Sequence, residues 1–118
     1  MYEIKVKSEF SGAHNLRNYK GKCEELHGHN WTIEVTVCGR RLNKKGMVMD
    51  FNDLKTLLER TLQKLDHKYL NDLSFFKVTH PTSENIAHFI YTSLSGTIKK
   101  KLKVSVWETS NSCASFEE

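Results

Sequence analysis

The spacing of the apolar residues changes period along the chain, and this limits the fold more than any other sequence feature. In residues 2–10, Tyr2, Ile4, Val6 and Phe10 share one parity, and Glu3, Lys5, Lys7 and Glu9 share the other. That is a strand with one buried and one solvated face. Residues 29–37 alternate again, with Trp31, Ile33, Val35 and Val37 opposite Thr32, Glu34 and Thr36. Asn43-Lys44-Lys45-Gly46 reads as a turn, and Met47-Val48-Met49 as a short strand continuing a hairpin. From residue 50 the period becomes helical. Leu54, Leu57, Leu58, Leu62 and Leu65 fall on one face of a helix over 50–65, with Asp50 or Asn52 as its cap. After a connection over 68–81, Pro81-Thr82-Ser83-Glu84 opens a second helix. Thr82 or Ser83 is its N-cap, and Glu84 sits near the positive end of its dipole. Ile86, Ala87, Phe89, Ile90 and Leu94 are its apolar positions, and Ser95-Gly96 ends it. Leu102, Val104 and Val106 alternate with Lys103, Ser105 and Trp107 in a further strand, and residues 113–116 form a last short one.

The order strand–strand–helix–helix–strand–strand predicts an α+β sandwich, an antiparallel four-stranded sheet with two helices on one face. The sheet's second face and its edges stay bare in a monomer, which points to oligomerisation. With 118 residues and no repeat, linker or low-complexity tract, residues 1–118 are expected to form a single domain. Hydrophobic residues make up 38% and charged residues 27%, a globular composition. A net charge of +4 is too mild to indicate a nucleic-acid partner. No apolar run approaches the roughly 18–20 residues of a membrane span, so no membrane partner is expected either. The N-terminus lacks the apolar stretch of a signal peptide, and three cysteines in such a chain argue against a disulfide framework. The expected location is the cytoplasm.

Six histidines stand out, two of them in Cys23-Glu24-Glu25-Leu26-His27-Gly28-His29. Period two puts His27 and His29 on the face that carries Trp31 and Ile33. His14 has the parity of Phe10, so a strand that stays regular past Gly12 turns it to the same apolar side. Three imidazoles converging from two strands make a tripod for Zn²⁺ with a fourth position open. Ordinary hydrogen-bonded histidines are the blander alternative. A closed structural site with the Cys23 thiolate as fourth ligand is another, and spacing does not choose between the open and closed forms.

Cys23 beside a cation would have a lowered pKa and serve as base or nucleophile, against the alternative of an incidental loop cysteine. Asp66-His67 suits an oriented acid–base pair, or else decorates a helix C-terminus. Glu108 shares the parity of Val104 and Val106. A carboxylate ending an apolar face is costly without a dedicated partner, such as a ligand with paired N–H donors. The run Lys99-Lys100-Lys101 with Lys103 reads as a solvated turn, or a contact for substrate phosphates. Cys38 and Cys113 read as structural, His80 and His88 as surface or packing residues.

Five motifs, in order, resemble one family across nearly the whole chain. They are Phe10-Ser11-Gly12-Ala13-His14, Cys23-x-x-x-His27-Gly28-His29-Asn30, Leu65-Asp66-His67, Pro81-Thr82-x-Glu84-Asn85 and Val106-x-Glu108-Thr109. The family is that of the 6-pyruvoyl- and 6-carboxy-tetrahydropterin synthases. The resemblance implies the tunnelling fold, in which three subunits close their sheets into a barrel and two trimers stack into a hexamer. It also implies that His14, His27 and His29 are zinc ligands and that Cys23 is the general base. Asp66 and His67 would activate that base, often across a subunit interface. Glu108 would anchor the guanidine-like edge of a pterin, with Thr82, Glu84 and Thr109 in motifs that bind the same substrate.

The substrate implied by the resemblance is 7,8-dihydroneopterin triphosphate. The three-residue spacer between Cys23 and His27 resembles the carboxy-forming branch, which releases acetaldehyde and feeds 7-deazaguanine and queuosine synthesis. Animal pyruvoyl-forming synthases tend to have a longer spacer. Glu24-x-x-His27-Gly28-His29 also resembles a variant in which Glu replaces Cys and 6-hydroxymethyl-dihydropterin is formed for folate. Gly12 departs from the commoner Ala before Ala13-His14. Outside this chemistry stands a non-catalytic, zinc-stabilised binding module.

Overall fold

The computed structural model describes residues 1–17 and 25–118. Cys23 and Glu24 lie outside the described residues. Alternation carries β1 through Tyr2–His14 and β2 through His27–Gly39, and the two pair antiparallel along their whole length, from Tyr2 opposite Gly39 to His14 opposite His27. The strand therefore stays regular past Gly12, as the parity of His14 requires. β4 (Lys101–Thr109) joins the other edge of β2, and β5 (Ser112–Glu117) pairs with β4.

The sheet has five strands, not four. A two-residue strand, β3 (Lys68–Tyr69), runs parallel to β1 at its outer edge, giving the order β3-β1-β2-β4-β5. Its approach depends on Gly12, where a Cβ would stand 3.3 Å from the Lys68 carbonyl oxygen and 3.3 Å from the Trp31 ring. The expected strand at Met47-Val48-Met49 is absent. Both edges of β2 are already taken by β1 and β4, so the expected hairpin with β2 cannot form. The segment folds on itself instead. Asn43 Oδ1 accepts from the N–H groups of Lys45 and Met47, and Gly46 turns the chain with a φ of 83°.

α1 (Phe51–Leu62) is capped by Asp50, whose carboxylate accepts from the Asn52 N–H at 2.7 Å. It stops three residues short of Leu65. The next turn tightens, with the N–H groups of Leu65 and Asp66 both donating to the Leu62 carbonyl, yet Leu65 stays fully buried. His67 then leaves the helix at a φ of 56°. The connection that follows is not a plain loop. It holds β3, a 3₁₀ turn (Leu70–Asp72) and the short α2 (Phe75–Val78). α3 (Ser83–Ser95) begins at the N-cap Thr82, whose hydroxyl accepts from the Asn85 N–H at 3.1 Å.

α1 lies on β1, α3 lies on β4 and β5, and the two helices touch. Leu54, Leu58, Leu62, Ile86, Ile90 and Leu94 meet Phe10, Trp31, Ile33, Val35, Val104 and Val106 in one core. The opposite face of the sheet is polar, and there Glu34 pairs with Lys7 at 3.4 Å and Lys5 at 3.8 Å. Partly exposed pairs of this kind contribute little to stability.

Candidate metal and pterin site

His14 and His27 end β1 and start β2 directly opposite each other, and His29 lies two residues further along β2. The rings of His14 and His29 stand against Trp31, a fully buried residue, and the His27 ring packs edge-on against both of them. The Trp31 ring centroid lies 4.9 Å from that of His14 and 5.3 Å from that of His29, and Phe10 stacks beneath it at 5.0 Å. Glu108, near the end of β4, closes the group. One donor atom from each of His14, His27, His29 and Glu108 lies within 4.8 Å of the others.

The hydrogen bonds orient the imidazoles. His14 Nδ1 donates to the Pro81 carbonyl at 2.7 Å, and His27 Nδ1 donates to the Glu25 carbonyl at 3.0 Å. With the proton on Nδ1, each ring presents an Nε2 lone pair, and these two nitrogens face each other at 3.0 Å. A hydrogen bond between them requires a second proton on one ring. Burial holds the pKa of His14 below its ordinary value, and the neighbouring His27 and His29 lower it further. An electropositive atom shared by the two rings would satisfy both nitrogens at this distance. His29 Nε2 is also buried, makes no hydrogen bond among the described residues, and lies 2.9 Å from Glu108 Oε1. Three imidazole nitrogens and a carboxylate oxygen this close to one another suit Zn²⁺.

A cavity of about 200 Å³ opens beside the cluster, lined by His14, His27, Thr82, Ser83, Glu84 and Glu108. Thr82 and Glu84 thus come to the same space as the histidines. Ser83, the unassigned position of the Pro81-Thr82-x-Glu84 motif, donates through Oγ to Glu108 Oε2 at 3.2 Å. Its presence at the first helical position was the only sequence signal. Thr109 goes elsewhere. It lies at the β4–β5 turn, bonded to Asn111 Oδ1 at 2.8 Å, and lines a separate cavity with Lys7, Thr32 and Trp107 on the helix-free face.

Asp66 and His67 also stand off the cavity, on the outer edge of β1. Asp66 Oδ1 accepts from the Ser11 N–H at 2.9 Å, and Oδ2 lies 3.0 Å from His67 Nδ1. The Ser11 N–H and then the His67 side chain hold the Asp66 carboxyl below its usual pKa. The ring of His67 is exposed, and the residue keeps a left-handed backbone, unusual for a side chain with a Cβ. The lysine run begins β4 at its far end, since Lys101 pairs with Cys38 while the histidines cluster at the other end of β2.

A sequence model of the family described as 6-pyruvoyl tetrahydropterin synthase matches residues 3–118. The chain belongs to this family. Within the 6-pyruvoyl tetrahydropterin synthase family it is similar to 6-carboxy-5,6,7,8-tetrahydropterin synthase of Haemophilus influenzae, with 30% identity covering 100% of both chains. It is also 39% identical to dihydroneopterin monophosphate aldolase of Pyrococcus furiosus, over 89% of this chain and 88% of that one. The solved structure of Caenorhabditis elegans 6-pyruvoyl tetrahydropterin synthase superposes with a TM-score of 0.85 at 27% identity, covering 99% of this chain and 95% of that one. The three relatives carry three different activities in their names, so the shared fold sets the pterin synthase family but not the branch.

Proposed function

We propose that residues 1–118 form one domain that acts as a zinc-dependent 6-carboxy-5,6,7,8-tetrahydropterin synthase. It converts 7,8-dihydroneopterin triphosphate and water to 6-carboxytetrahydropterin, acetaldehyde and triphosphate. The observation that carries the metal reading is the convergence of one donor atom each from His14, His27, His29 and Glu108 to within 4.8 Å of one another, with Nε2 of His14 and His27 3.0 Å apart. The full-length similarity to the Haemophilus influenzae enzyme supports the carboxy-forming branch, as does the short spacer between Cys23 and His27.

His14, His27 and His29 would hold the zinc, which when bound supplies Lewis acidity toward the hydroxyls of the substrate side chain. Cys23 takes a proton from that side chain. Asp66, held anionic by the Ser11 N–H, orients His67 for proton transfer with the base. Glu108 accepts paired N–H groups from the edge of the pterin ring, which are charge-assisted and fix its orientation. Ser83 steadies Oε2 of that carboxylate. Thr82, Glu84 and Thr109 complete the substrate contacts.

The working unit is an oligomer, with a hexamer of two trimers as the expected state. A cavity of about 200 Å³ falls short of the roughly 300–1,000 Å³ of ordinary ligand sites. Asp66, His67 and Thr109 lie outside it in their own chain. Sharing sites between subunits brings such groups together and buries the open edges at β3 and β5. No described helix is long and apolar enough to cross a membrane.

Incubation with 7,8-dihydroneopterin triphosphate and identification of the products by mass spectrometry tests the assignment. Acetaldehyde with 6-carboxytetrahydropterin is the expected pair. A pyruvoyl product would move the chain to that branch. 6-Hydroxymethyl-dihydropterin would favour the folate reading, for which Glu24 beside Cys23 and the similarity to the Pyrococcus furiosus aldolase are the grounds.

A further inference from the structure

One buried polar side chain has no role in the chemistry above. Asn71 lies in the 3₁₀ turn and is only 7% exposed. A carboxamide so buried is destabilising unless its donors and acceptor are satisfied. Both ends of this one are spent on the same residue. Asn71 Oδ1 accepts from the Asn15 N–H at 3.0 Å, and Nδ2 donates to the Asn15 carbonyl at 2.8 Å. The Tyr69 hydroxyl donates to Asn15 Oδ1 at 2.7 Å. Asn15 directly follows His14.

The topology explains the arrangement. β3 pairs with β1 only at Gly12–Lys68 and Ala13–Tyr69. The chain then turns away as Leu70 enters the core, where it is fully buried. On that side the backbone ladder stops before His14, whereas on the other side β2 pairs as far as His14. An Asn side chain carries a donor and an acceptor like those of a peptide group. Asn71 thus stands in for the strand partner that β3 does not supply. His14 is held between Ala13, paired by β3, and Asn15, clamped by Asn71, while its ring is braced on the Pro81 carbonyl.

We propose that Asn71 is a positioning residue for the metal donor His14, closing the free end of β1 so that the imidazole keeps a fixed place among the three. This rests on the zinc reading above. Outer-shell groups behind a metal ligand typically cost about 10–100-fold in affinity when removed. Asn71 acts through backbone one residue away, so a loss near the lower end of that range is expected.

The test uses the purified full chain without pterin. Zinc affinity is measured by chelator competition for the wild type, Asn71→Ala and Tyr69→Phe, together with the Co²⁺ visible spectrum, amide exchange at Asn15 and the melting point of the metal-free protein. Asn71→Ala should bind zinc about tenfold more weakly, shift the Co²⁺ bands and expose the Asn15 amide to exchange. Tyr69→Phe removes one hydroxyl from a partly exposed ring and is not at risk of unfolding. It should show a smaller loss in the same direction, and it decides the matter if Asn71→Ala does not fold. A lowered metal-free melting point with unchanged zinc affinity and Co²⁺ spectrum in both variants would reduce Asn71 to a purely structural residue and overturn the inference. A wild type that takes up no zinc would overturn the metal reading itself, before any variant is compared.

Discussion

The Asp66 carboxylate accepts the backbone N–H of Ser11 at 2.9 Å, tying Asp66 and His67 to β1 three residues before His14. The bond makes Asp66 part of the sheet edge, and with it the start of the long connection that also supplies Tyr69, Asn71 and Pro81. Residues far apart in sequence are thereby fixed to one end of one strand.

This bond gives a pH dependence with a definite sign. The folded-state pKa of Asp66 is lowered, chiefly by the Ser11 N–H and next by His67. The stabilisation is therefore fully present above the ordinary carboxylate value of about 4 and is lost as pH falls through the lowered one. Asp66→Asn should melt below the wild type at neutral pH, and the gap should close in strong acid. Thermal unfolding of both proteins across that range checks it. A gap independent of pH would show that the charge of Asp66 does not matter.

The proposed metal ligands and the proposed base are separable. His27→Ala should fold yet lose stoichiometric zinc, measured by elemental analysis. Cys23→Ala should keep zinc and lose turnover. If Cys23 is instead a fourth ligand, metal affinity and stability will fall together in that variant, which would favour the binding-module reading.

Glu108→Gln keeps the shape of the side chain and removes its charge. Hydrogen bonds to charged groups contribute about 1.5–3 kcal/mol, so pterin binding should weaken roughly 10–150-fold. Isothermal calorimetry with a pterin ligand checks it. Unchanged affinity would exclude Glu108 as the anchor.

Shared sites predict complementation. Cys23→Ala and His67→Ala should each be inactive alone. Mixing them under conditions of subunit exchange should restore part of the activity through hybrid sites that contain one intact copy of each group. Full activity in a monomer by sedimentation, or no recovery despite verified exchange, would place every catalytic group within one chain.

The local elements were legible from residue spacing. Alternation in β1 and β2 and the leucine spacing in α1 reflect the one-sided burial that each element achieves, and Asp50 and Thr82 cap their helices because their side chains reach only two or three residues ahead. The parity of His14 projected correctly because no bulge interrupts β1. Spacing also placed His27 and His29 on one face, since that follows from the pleat alone.

Other features depend on partners that no periodicity encodes. The Pro81 carbonyl that orients His14 is 67 residues away in sequence, and Asn71 is 56 residues from the Asn15 backbone it clamps. Met47-Val48-Met49 has the composition of a strand, but β1 and β4 already occupy both edges of β2. Lys68 and Tyr69 become a strand because Gly12 leaves room beside β1. The sequence by itself determined which residues turn inward and which begin each helix, because those choices are settled within a few residues by burial and local hydrogen bonding. Only the tertiary structure decided which strand edges were free and which carbonyls and amides stood behind the histidines, because those places are filled by segments brought together when the core closes.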